Sequence, residues 1–389
     1  MSDSLAFRGL ITFIRDQYRS KDFIPLHAPI FHGREKEYVS ETIESTFVSS
    51  VGAFVNRFED DIASYTGSPK AVATVNGTAA LHAALILAGV LEGDLVVTQA
   101  LTFVATCNAI SYCGAQPVFV DVDRHTLGLS PKALGNWLDE HARLDSDGVC
   151  RTKHGQRVIR ACVPMHTFGH PCDLDGLSSI CAQWGLALVE DAAESLGSLY
   201  HERHTGTFGL LGTLSFNGNK IITTGGGGMI LAGTGLGARA KHLTTTAKLP
   251  HPVAFFHDEV GFNYRLPNIN AALGCAQLEQ LEQFVDAKRA LAGRYAAYLS
   301  SNSGLIFVTE PEGCRSNYWL NAVVCEDEKE RNSLLDATAA AGVMTRPVWQ
   351  PMHLLPMFKE CPRDDLTMTQ WLSARIVNLP SSAPLDRIP

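Results

Sequence analysis

A single lysine stands between an apolar segment and a run of glycines. Ser215 lies in the apolar run "TLSF", Lys220 follows five residues later, and residues 225–228 are all glycine. Glycine allows the backbone to approach a ligand closely, and a lysine amine can neutralise a phosphate or bond covalently to a carbonyl group. A lysine that only faces solvent needs no such setting. The stretch therefore predicts a lysine that binds a phosphate or reacts with a flat cofactor.

Two carboxylates follow a second apolar segment. Asp191 comes directly after "LALVE", and Glu194 lies three residues further on, where a helix start would place both on one face. In α/β proteins ligands bind at the carboxyl ends of parallel strands. A carboxylate at such a buried edge is costly unless a cation or a firm hydrogen-bond donor meets it. We therefore expect Asp191 to face a positively charged group of a ligand.

Four further residues follow other predicted strands. Gly77 and Thr78 come after "AVATV" at a predicted helix start, where free N–H groups and the helix dipole favour an anion. The same residues are also consistent with a simple helix cap. Phe103, after "LVVT", could form one face of a pocket or belong to the core. His166, after "VIRACVPM", indicates little by itself.

Together these positions supply what pyridoxal phosphate requires. Gly77, Thr78 and Ser215 would form a phosphate cradle, and Phe103 would form an aromatic wall. Asp191 would supply a buried anion, and Lys220 an amine. Asp191 would pair with the pyridinium nitrogen and keep the ring an electron sink. Lys220 would hold the aldehyde as a Schiff base, and the glycines would let the backbone pass close to the ring and give the lysine room to swing.

A lysine that binds nucleotide phosphate is the chief alternative. The pattern G-x-x-x-x-G-K-[ST] is absent, because Lys220 precedes the glycines and isoleucine follows it. The segment "GTFGLLG" does not have the spacing of the dinucleotide pattern G-x-G-x-x-G. Both nucleotide patterns are therefore disfavoured.

The elements that must position these residues alternate along the chain. Apolar runs separated by helical patterns extend from about residue 70 to residue 235, which predicts a mostly parallel sheet covered by helices on both faces. Residues 95–120 carry no charge, yet their polar residues favour strand, helix and strand in a core over a membrane span. Residues 136–156 are predicted to be a surface insertion, and a long helix is predicted to begin after Pro267.

Length and composition indicate a protein of two domains. At 389 residues the chain exceeds what one core usually supports, and we place the large cofactor domain at 1–255 and a smaller C-terminal α+β domain at 256–389. The net charge of −8 without a basic cluster disfavours nucleic acid and anionic membranes as partners. The ten cysteines include no C-x-x-C pair, and no signal region is visible, so we expect reduced, buried thiols in a cytoplasmic protein.

Five segments, in order and spacing, resemble the DegT/StrS family of sugar-nucleotide aminotransferases. They are "NGTAALHAAL", "LTFVAT", "EDAAESLG", "SFNGNK" and "GFNYRLPNINAALGCAQL", and the resemblance covers nearly the whole chain. It implies the type I fold of pyridoxal phosphate-dependent aminotransferases, a mostly parallel central sheet flanked by helices with a smaller C-terminal α+β domain. It also implies a homodimer or larger assembly.

The resemblance also implies roles for individual residues. Lys220 matches the Schiff-base lysine and Asp191 the partner of the pyridine nitrogen, while Glu194 stands near the phenolic oxygen of the cofactor. Phe103 matches the position that stacks on the cofactor ring. The matches to the phosphate contacts are Gly77, Thr78 and Ser215. Asn263 matches an asparagine that reaches the phosphate from the neighbouring subunit. The residues expected at the sugar nucleotide are His353, His166 and Tyr318.

Two departures from the family pattern concern the site itself. Many members have glutamine where Glu194 stands, and many have Gly-Glu-Gly-Gly where residues 225–228 are all glycine. The stretch "TTTAKLPHP", residues 136–156 and "SFNGNK" are most similar to the LegC-type branch, which also fits Glu194. That branch aminates UDP-4-keto-6-deoxy-N-acetylhexosamines on the way to bacillosamine and legionaminic acid.

The resemblance implies transfer of an amino group from L-glutamate to the 4-keto group of such a UDP-sugar. A GDP- or dTDP-linked keto sugar is the alternative substrate, with specificity expected in the loops at residues 316–319 and 349–353. Sugar dehydratases of the same fold carry histidine at the lysine position, so Lys220 disfavours that activity. Non-catalytic regulatory members usually lose part of the constellation, which is complete here.

Overall fold

Strands and helices alternate through the first two thirds of the chain. The computed structural model describes residues 7–302 and 304–384. Its strands are β1 (Lys70–Thr74), β2 (Leu95–Gln99), β3 (Gln116–Val120), β4 (Ala142–Leu144), β5 (Cys150–Thr152), β6 (Ile159–Val163), β7 (Ala187–Asp191), β8 (Leu199–Tyr200), β9 (Arg203–His204), β10 (Leu211–Ser215), β11 (Gly228–Ala232), β12 (Lys248–Leu249), β13 (Phe256–His257), β14 (Ile306–Phe307), β15 (Cys314–Arg315), β16 (Asn321–Val324), β17 (Arg346–Pro347) and β18 (Ile376–Leu379).

The α-helices lie before β1 and between the later strands. They are α1 (Arg8–Tyr18), α2 (Glu35–Glu44), α3 (Ala53–Thr66), α4 (Gly77–Leu87), α5 (Val104–Tyr112), α6 (Pro131–His141), α7 (Leu174–Trp184), α8 (Thr234–Thr244), α9 (Asn268–Leu278), α10 (Leu281–Asn302), α11 (Glu328–Ala340) and α12 (Thr367–Ser373). Residues 95–120 form β2, α5 and β3, as predicted.

Seven strands form the central sheet in the order β1-β11-β10-β7-β6-β2-β3. The pairs from β10 through β7, β6 and β2 to β3 are parallel, whereas β11 runs antiparallel to β1 and to β10. The predicted mostly parallel sheet is therefore confirmed. Because parallel strands end at the same edge, the residues that follow β7 and β10 are brought together with the start of α4.

Both faces of this sheet are buried, which explains the continuously apolar strands. Along β1, Ala71 and Ala73 pack with α3 and α9, while Val72 between them packs with α4, α5 and α8 on the opposite face. Along β11, Met229 and Ile230 are divided between the faces in the same way. Successive side chains of a strand point to opposite faces, so burial of both requires apolar residues throughout.

A smaller antiparallel sheet, in the order β14-β16-β18-β17, forms a second layer with helices. Its core joins residues of α1 and α10 to the strands, for example Ile14 and Tyr295 with Val323 and Val377. The N-terminal helix thus packs on the sheet formed by the end of the chain. The division at residues 255 and 256 stays a prediction.

Two predictions about individual segments need correction. Residues 136–156 are not wholly a surface insertion, because their first part completes α6, which buries Trp137 and Leu138, and only the β4–β5 hairpin follows. The long helix does begin after Pro267, but it is divided into α9 and α10. The break occurs because the N–H of Gln280 donates to the carbonyl of Gln277, three residues back, which interrupts the α-helical ladder.

All ten cysteines are free, and most are buried, as the absence of C-x-x-C pairs predicted. Burial raises the pKa of several of these thiols, for example that of Cys150 to about 12. Such thiols are inert, and we assign them no chemistry. Among the described residues, no helix is both long enough and apolar enough to cross a membrane.

Candidate active site

A cavity lies at the carboxyl edge of the central sheet, next to the start of α4. Most of the predicted site residues meet in its walls, which include Asn76, Gly77, Thr78, Phe103, Met165, Asp191, Glu194, Ser215, Asn217, Lys220, Gly226 and Gly227. These residues come from five separate parts of the chain. Only the ends of adjacent strands bring them to one place.

The predicted phosphate cradle lies at the N-terminus of α4. The side chain of Asn76 caps the helix and accepts the N–H of Ala79 at 2.8 Å. The first N–H groups of a helix have no acceptor within it, so those of Gly77 and Thr78 remain available to an anion. A Cβ atom on Gly77 would lie 2.9 Å from the Cβ of Ser215, so glycine is needed for the two segments to meet. The cap and the anion site are therefore compatible.

The glycine run after Lys220 mainly shapes this cradle. A Cβ atom on Gly228 would lie 2.5 Å from the carbonyl oxygen of Asn76, and one on Gly227 would collide with the hydroxyl of Thr224. Gly225 has a φ of +79°, which other residues rarely adopt. Gly226 and Gly227 also line the cavity together with Lys220, and the expectation that the glycines give the lysine room to swing stays a prediction.

Asp191 is buried and held by two donors. Its Oδ2 accepts the hydroxyl of Thr106 at 2.7 Å, and its Oδ1 accepts the N–H of Ala193 at 3.2 Å. Burial raises the pKa of Asp191, while these hydrogen bonds and the nearby Lys220 act in the opposite direction. The carboxylate is therefore pre-oriented, and a cation in the cavity would stabilise its charged form further.

Lys220 and Glu194 form a close pair with little access to water. The Nζ atom of Lys220 lies 3.4 Å from Oε1 of Glu194, and the two side chains are 12% and 3% exposed. Oε2 of Glu194 accepts the N–H of Phe168 at 2.9 Å. Burial raises the pKa of Glu194 to about 7, although Lys220 lowers it. This carboxyl group can therefore gain or lose a proton near neutral pH.

The structure adds site residues that the sequence did not single out. Thr106 holds Asp191, and Met165 and Asn217 line the cavity. Trp319 places its indole ring 4.1 Å from the Nζ of Lys220. The segment "LTFVAT" contains Thr106, and Trp319 lies in the loop expected to govern sugar specificity. That loop is instead buried, so its residues do not form an open specificity surface.

His166 and Tyr318 do not lie in the cavity wall. His166 has no exposed surface, its Nε2 lies 3.1 Å from Glu190, and its Nδ1 accepts the N–H of Cys172. The hydroxyl of Tyr318 accepts the N–H of Glu310 at 3.0 Å, and the side chain is buried. Because their polar atoms are engaged within the protein, this geometry does not support the substrate contacts expected of them.

His353 and Asn263 lie outside the cavity, and their roles stay predictions. His353 lines a neighbouring cavity with Trp349, and the Trp349 ring lies 6.4 Å from that of Phe103. Burial lowers the pKa of His353. The side chain of Asn263 is exposed, and its Oδ1 accepts Nε of Arg265 at 3.4 Å. Within one subunit, Asn263 therefore does not contribute to the cradle.

This set of residues fits pyridoxal phosphate. The start of α4 offers N–H donors to a phosphate, and Gly77 lets this helix start approach Ser215 closely, since a Cβ atom there would lie 2.9 Å from the Cβ of Ser215. Asp191 is a buried carboxylate for a protonated ring nitrogen, and Lys220 is an amine within the same cavity. The half-exposed ring of Phe103 also lines the cavity, where it can stack on a flat ring.

Comparisons with known proteins agree with this arrangement. The sequence profile of the DegT/DnrJ/EryC1/StrS aminotransferase family matches residues 29–387. The chain is 38% identical to EpsN of Bacillus subtilis (strain 168), which bears the provisional name of a pyridoxal phosphate-dependent aminotransferase, over 86% of this chain and 84% of that protein. It is 37% identical to the GDP-perosamine synthase of Escherichia coli O157:H7, over 94% of each chain.

The fold is shared with solved aminotransferases. The crystal structure of the aminotransferase TlmJ from Streptoalloteichus hindustanus superposes with a TM-score of 0.83 at 29% identity, covering 92% of this chain and 93% of that one. The type I fold and the cofactor expected from the motifs are thereby confirmed. We conclude that the chain belongs to the DegT/DnrJ/EryC1/StrS aminotransferase family and is a pyridoxal phosphate-dependent aminotransferase.

Proposed function

We propose that this enzyme transfers an amino group from L-glutamate to the 4-keto group of a nucleotide-linked 6-deoxy sugar. The observation that carries the proposal is the buried Lys220–Glu194 pair in the same cavity as Asp191 and the α4 cradle. This arrangement has an amine that can move a proton, a neighbouring carboxyl group with a pKa of about 7, and a fixed anion. Proton transfer by positioned groups contributes ~10²–10⁴-fold to such reactions.

A GDP-linked 4-keto sugar is the first candidate substrate. The similarity to GDP-perosamine synthase extends over almost the whole of both chains, which favours this nucleotide over the UDP-sugar expected from the LegC-type resemblance. The UDP-4-keto-6-deoxy-N-acetylhexosamine remains the second candidate because the sequence features of that branch favour it. A dTDP-linked sugar is the third.

The chain's own residues divide the work. Pyridoxal phosphate, when bound, supplies a ring that accepts the electron pair released when the donor loses its α-proton. Asp191 holds the ring nitrogen protonated, and the N–H groups of Gly77 and Thr78 bind the phosphate. Lys220 would take the α-proton of the donor and deliver it to the carbon on the other side of the transferred nitrogen, while Glu194 would exchange a proton with the Lys220 amine. The same residues act in reverse order on the keto sugar.

Two measurements test the reaction and the substrate separately. First, L-glutamate without sugar should yield one 2-oxoglutarate per site, and Lys220→Ala should yield none. A wild-type enzyme that binds the cofactor but never converts L-glutamate would contradict the proposal and favour a non-catalytic protein. Second, a panel of GDP-, UDP- and dTDP-4-keto sugars should rank GDP first by kcat/KM.

Product mass separates transamination from the dehydratase alternative. The aminotransferase replaces the keto oxygen by an amine, whereas a dehydratase removes water. Lys220 favours the first outcome. A product that has lost water and gained no nitrogen would overturn the proposed reaction while leaving cofactor binding intact.

We also propose a homodimer with shared sites. Apolar side chains around the β12–β13 hairpin are strongly exposed, including Val253 at 88%, Phe255 at 81% and Val260 at 87%. Exposed apolar patches of this kind are typical of protein interfaces. Asn263 follows the hairpin closely, and it would complete the phosphate cradle of the neighbouring subunit.

A further inference from the structure

The amine of Lys220 is contacted from two sides. Glu194 lies 3.4 Å away, and the centroid of the Trp319 indole ring lies 4.1 Å away. The face of an indole ring attracts a cation, and the attraction is stronger where water is excluded. Trp319 is 4% exposed, so this contact is largely desolvated.

The Trp319 ring is held in place by its own hydrogen bonds. Its indole N–H donates to the carbonyl of Asn219, the residue before Lys220, at 2.7 Å. Its backbone N–H donates to Oδ1 of Asn317 at 2.8 Å, and its carbonyl accepts Nζ of the buried Lys288 at 3.1 Å. The donors and the acceptor of this residue are thus all engaged, which restricts the ring to one position.

Asn317 joins the two sides of the lysine. Its Nδ2 donates to the carbonyls of Glu194 and Leu196, each at 2.9 Å, while its Oδ1 accepts from Trp319. Gly169, with a φ of +95°, leaves the space that Asn317 occupies, because a Cβ atom there would collide with Oδ1. One buried amide therefore fixes the separation of the two groups that contact Lys220.

We propose that Trp319 is a positioning residue for Lys220, and that its ring holds the free amine beside Glu194. The inference rests on the proposed function, in which Lys220 must leave the cofactor, carry a proton and return. An amine held between a carboxylate and a ring face stays within reach of the reacting carbons instead of turning towards solvent. Trp319 thus acts through Lys220 and does not itself transfer a proton.

Two substitutions distinguish the effect of the Trp319 ring face from the effect of the hydrogen bond that its indole N–H donates. Trp319→Phe keeps an aromatic face and loses the N–H that donates to Asn219, whereas Trp319→Leu removes the face. Cation–π contacts correspond to effects from roughly 2-fold where the contact is exposed to roughly 30-fold where it is desolvated. At saturating L-glutamate we expect the half-reaction to slow about threefold in Trp319→Phe and about tenfold or more in Trp319→Leu, with KM changed less than about twofold.

A matched control is available on α12. Trp371 also lies against cations, 4.6 Å from Arg124 and 4.7 Å from Arg375, and it packs against the apolar cluster that contains Trp319, but it does not line the cavity. Trp371→Leu should leave the half-reaction rate within about twofold of wild type. A purely packing role for Trp319 would instead raise KM and lower thermal stability while leaving the saturated rate unchanged.

A second measurement needs neither cofactor nor substrate. Trace acetylation of the cofactor-free protein, quantified by peptide mass spectrometry, reports how freely the Lys220 amine reacts, with exposed Lys329 as the internal standard. We expect Lys220 to react several-fold faster in Trp319→Leu, less so in Trp319→Phe, and unchanged in Trp371→Leu.

Unchanged labelling and an unchanged half-reaction rate in both Trp319 variants would overturn the inference. If Trp319→Leu fails to fold, the Trp319→Phe variant decides the question, because its aromatic ring keeps most of the core filled. Loss of the half-reaction in every protein, wild type included, with the labelling order preserved would contradict the proposed function and leave the positioning role standing.

Discussion

The carboxylate of Asp191 already has two donors, so its charge can be tested without disturbing its shape. In Asp191→Asn the Oδ1 can still accept from Ala193, and the hydroxyl of Thr106 can turn to accept from the new amide. The ring nitrogen, however, loses its anion. We expect the L-glutamate half-reaction to slow by about 100-fold or more, with the cofactor still bound.

Stopped-flow absorbance would follow that half-reaction, and cofactor content would be measured in parallel. Thr106→Val is the matched control, because it removes a donor and keeps the negative charge. Its rate should fall by no more than about tenfold. Near-normal rates in Asp191→Asn would mean that the carboxylate is structural.

Glu194 makes stability depend on pH in a defined window. Its ordinary pKa is 4.5, and burial raises the folded-state pKa to about 7. A raised carboxyl pKa means that the folded state binds the proton more tightly than the unfolded state. The contribution of Glu194 to stability is therefore greatest below pH 4.5 and decreases as the pH rises to 7. Glu194→Gln has no titrating carboxyl group at this position. As the pH rises from 4 to 8, the free energy of unfolding of this variant, measured relative to that of wild type, should therefore increase by up to ~3 kcal/mol.

Denaturant unfolding of the cofactor-free proteins at several pH values would measure this difference. A constant difference between wild type and Glu194→Gln across the window would contradict the assigned pKa. Activity should change less than in Asp191→Asn, because glutamine keeps the shape of the side chain and its amide oxygen can still accept the N–H of Phe168.

The junction of β11 with the start of α4 predicts a separate effect on cofactor affinity. A methyl group on Gly228 would press on the Asn76 carbonyl, and overpacking of this kind costs ~1–3 kcal/mol. We expect Gly228→Ala to weaken pyridoxal phosphate binding by roughly 10- to 100-fold. Equilibrium titration of the cofactor-free protein would measure the Kd.

Gly218→Ala provides the control for that substitution. Gly218 lies in the same loop as Lys220, and a Cβ atom there would meet nothing within 4 Å. Its cofactor affinity should match wild type. If Gly228→Ala bound the cofactor as tightly as wild type, β11 could move away from the start of α4 without weakening cofactor binding.

Assembly of two chains predicts complementation between defective subunits. If Asn263 completes the neighbouring cradle, a heterodimer of Lys220→Ala and Asn263→Ala subunits has one site with both lesions and one with neither. Mixing the two variants should therefore restore activity above that of either parent. A hydrogen bond to a charged group is worth ~1.5–3 kcal/mol, so Asn263→Ala alone should weaken cofactor retention without unfolding the protein.

Subunit exchange must be confirmed independently, for example by native mass spectrometry with one variant tagged. Exchange without any gain in activity would mean that Asn263 serves its own subunit or no site. Exposed Val253 and Phe255 supply a further check, because charged residues at both positions should shift the assembly towards monomers.

The residues at strand ends were predictable because their chemistry is local in sequence. Asp191 follows a continuously apolar strand, and Gly77 and Thr78 follow another at a helix start, so periodicity alone placed them at one edge of a parallel sheet. Lys220 beside the glycines completed the set of groups for the cofactor. The α/β class and the cofactor followed from these positions, whereas the type I fold and the aminotransferase family followed from the resemblance of five segments to known members.

Tertiary packing decided the rest, since it joins segments distant in sequence. Trp319 lies just before β16 of the smaller sheet and contacts Lys220, about a hundred residues earlier in the chain, and Asn317 links Trp319 to Glu194. His166 follows a strand as Asp191 does, yet its ring is engaged by Glu190 and Cys172 inside the core. Periodicity identifies the edge at which a residue lies, whereas contacts between distant segments decide which side chain faces the cavity.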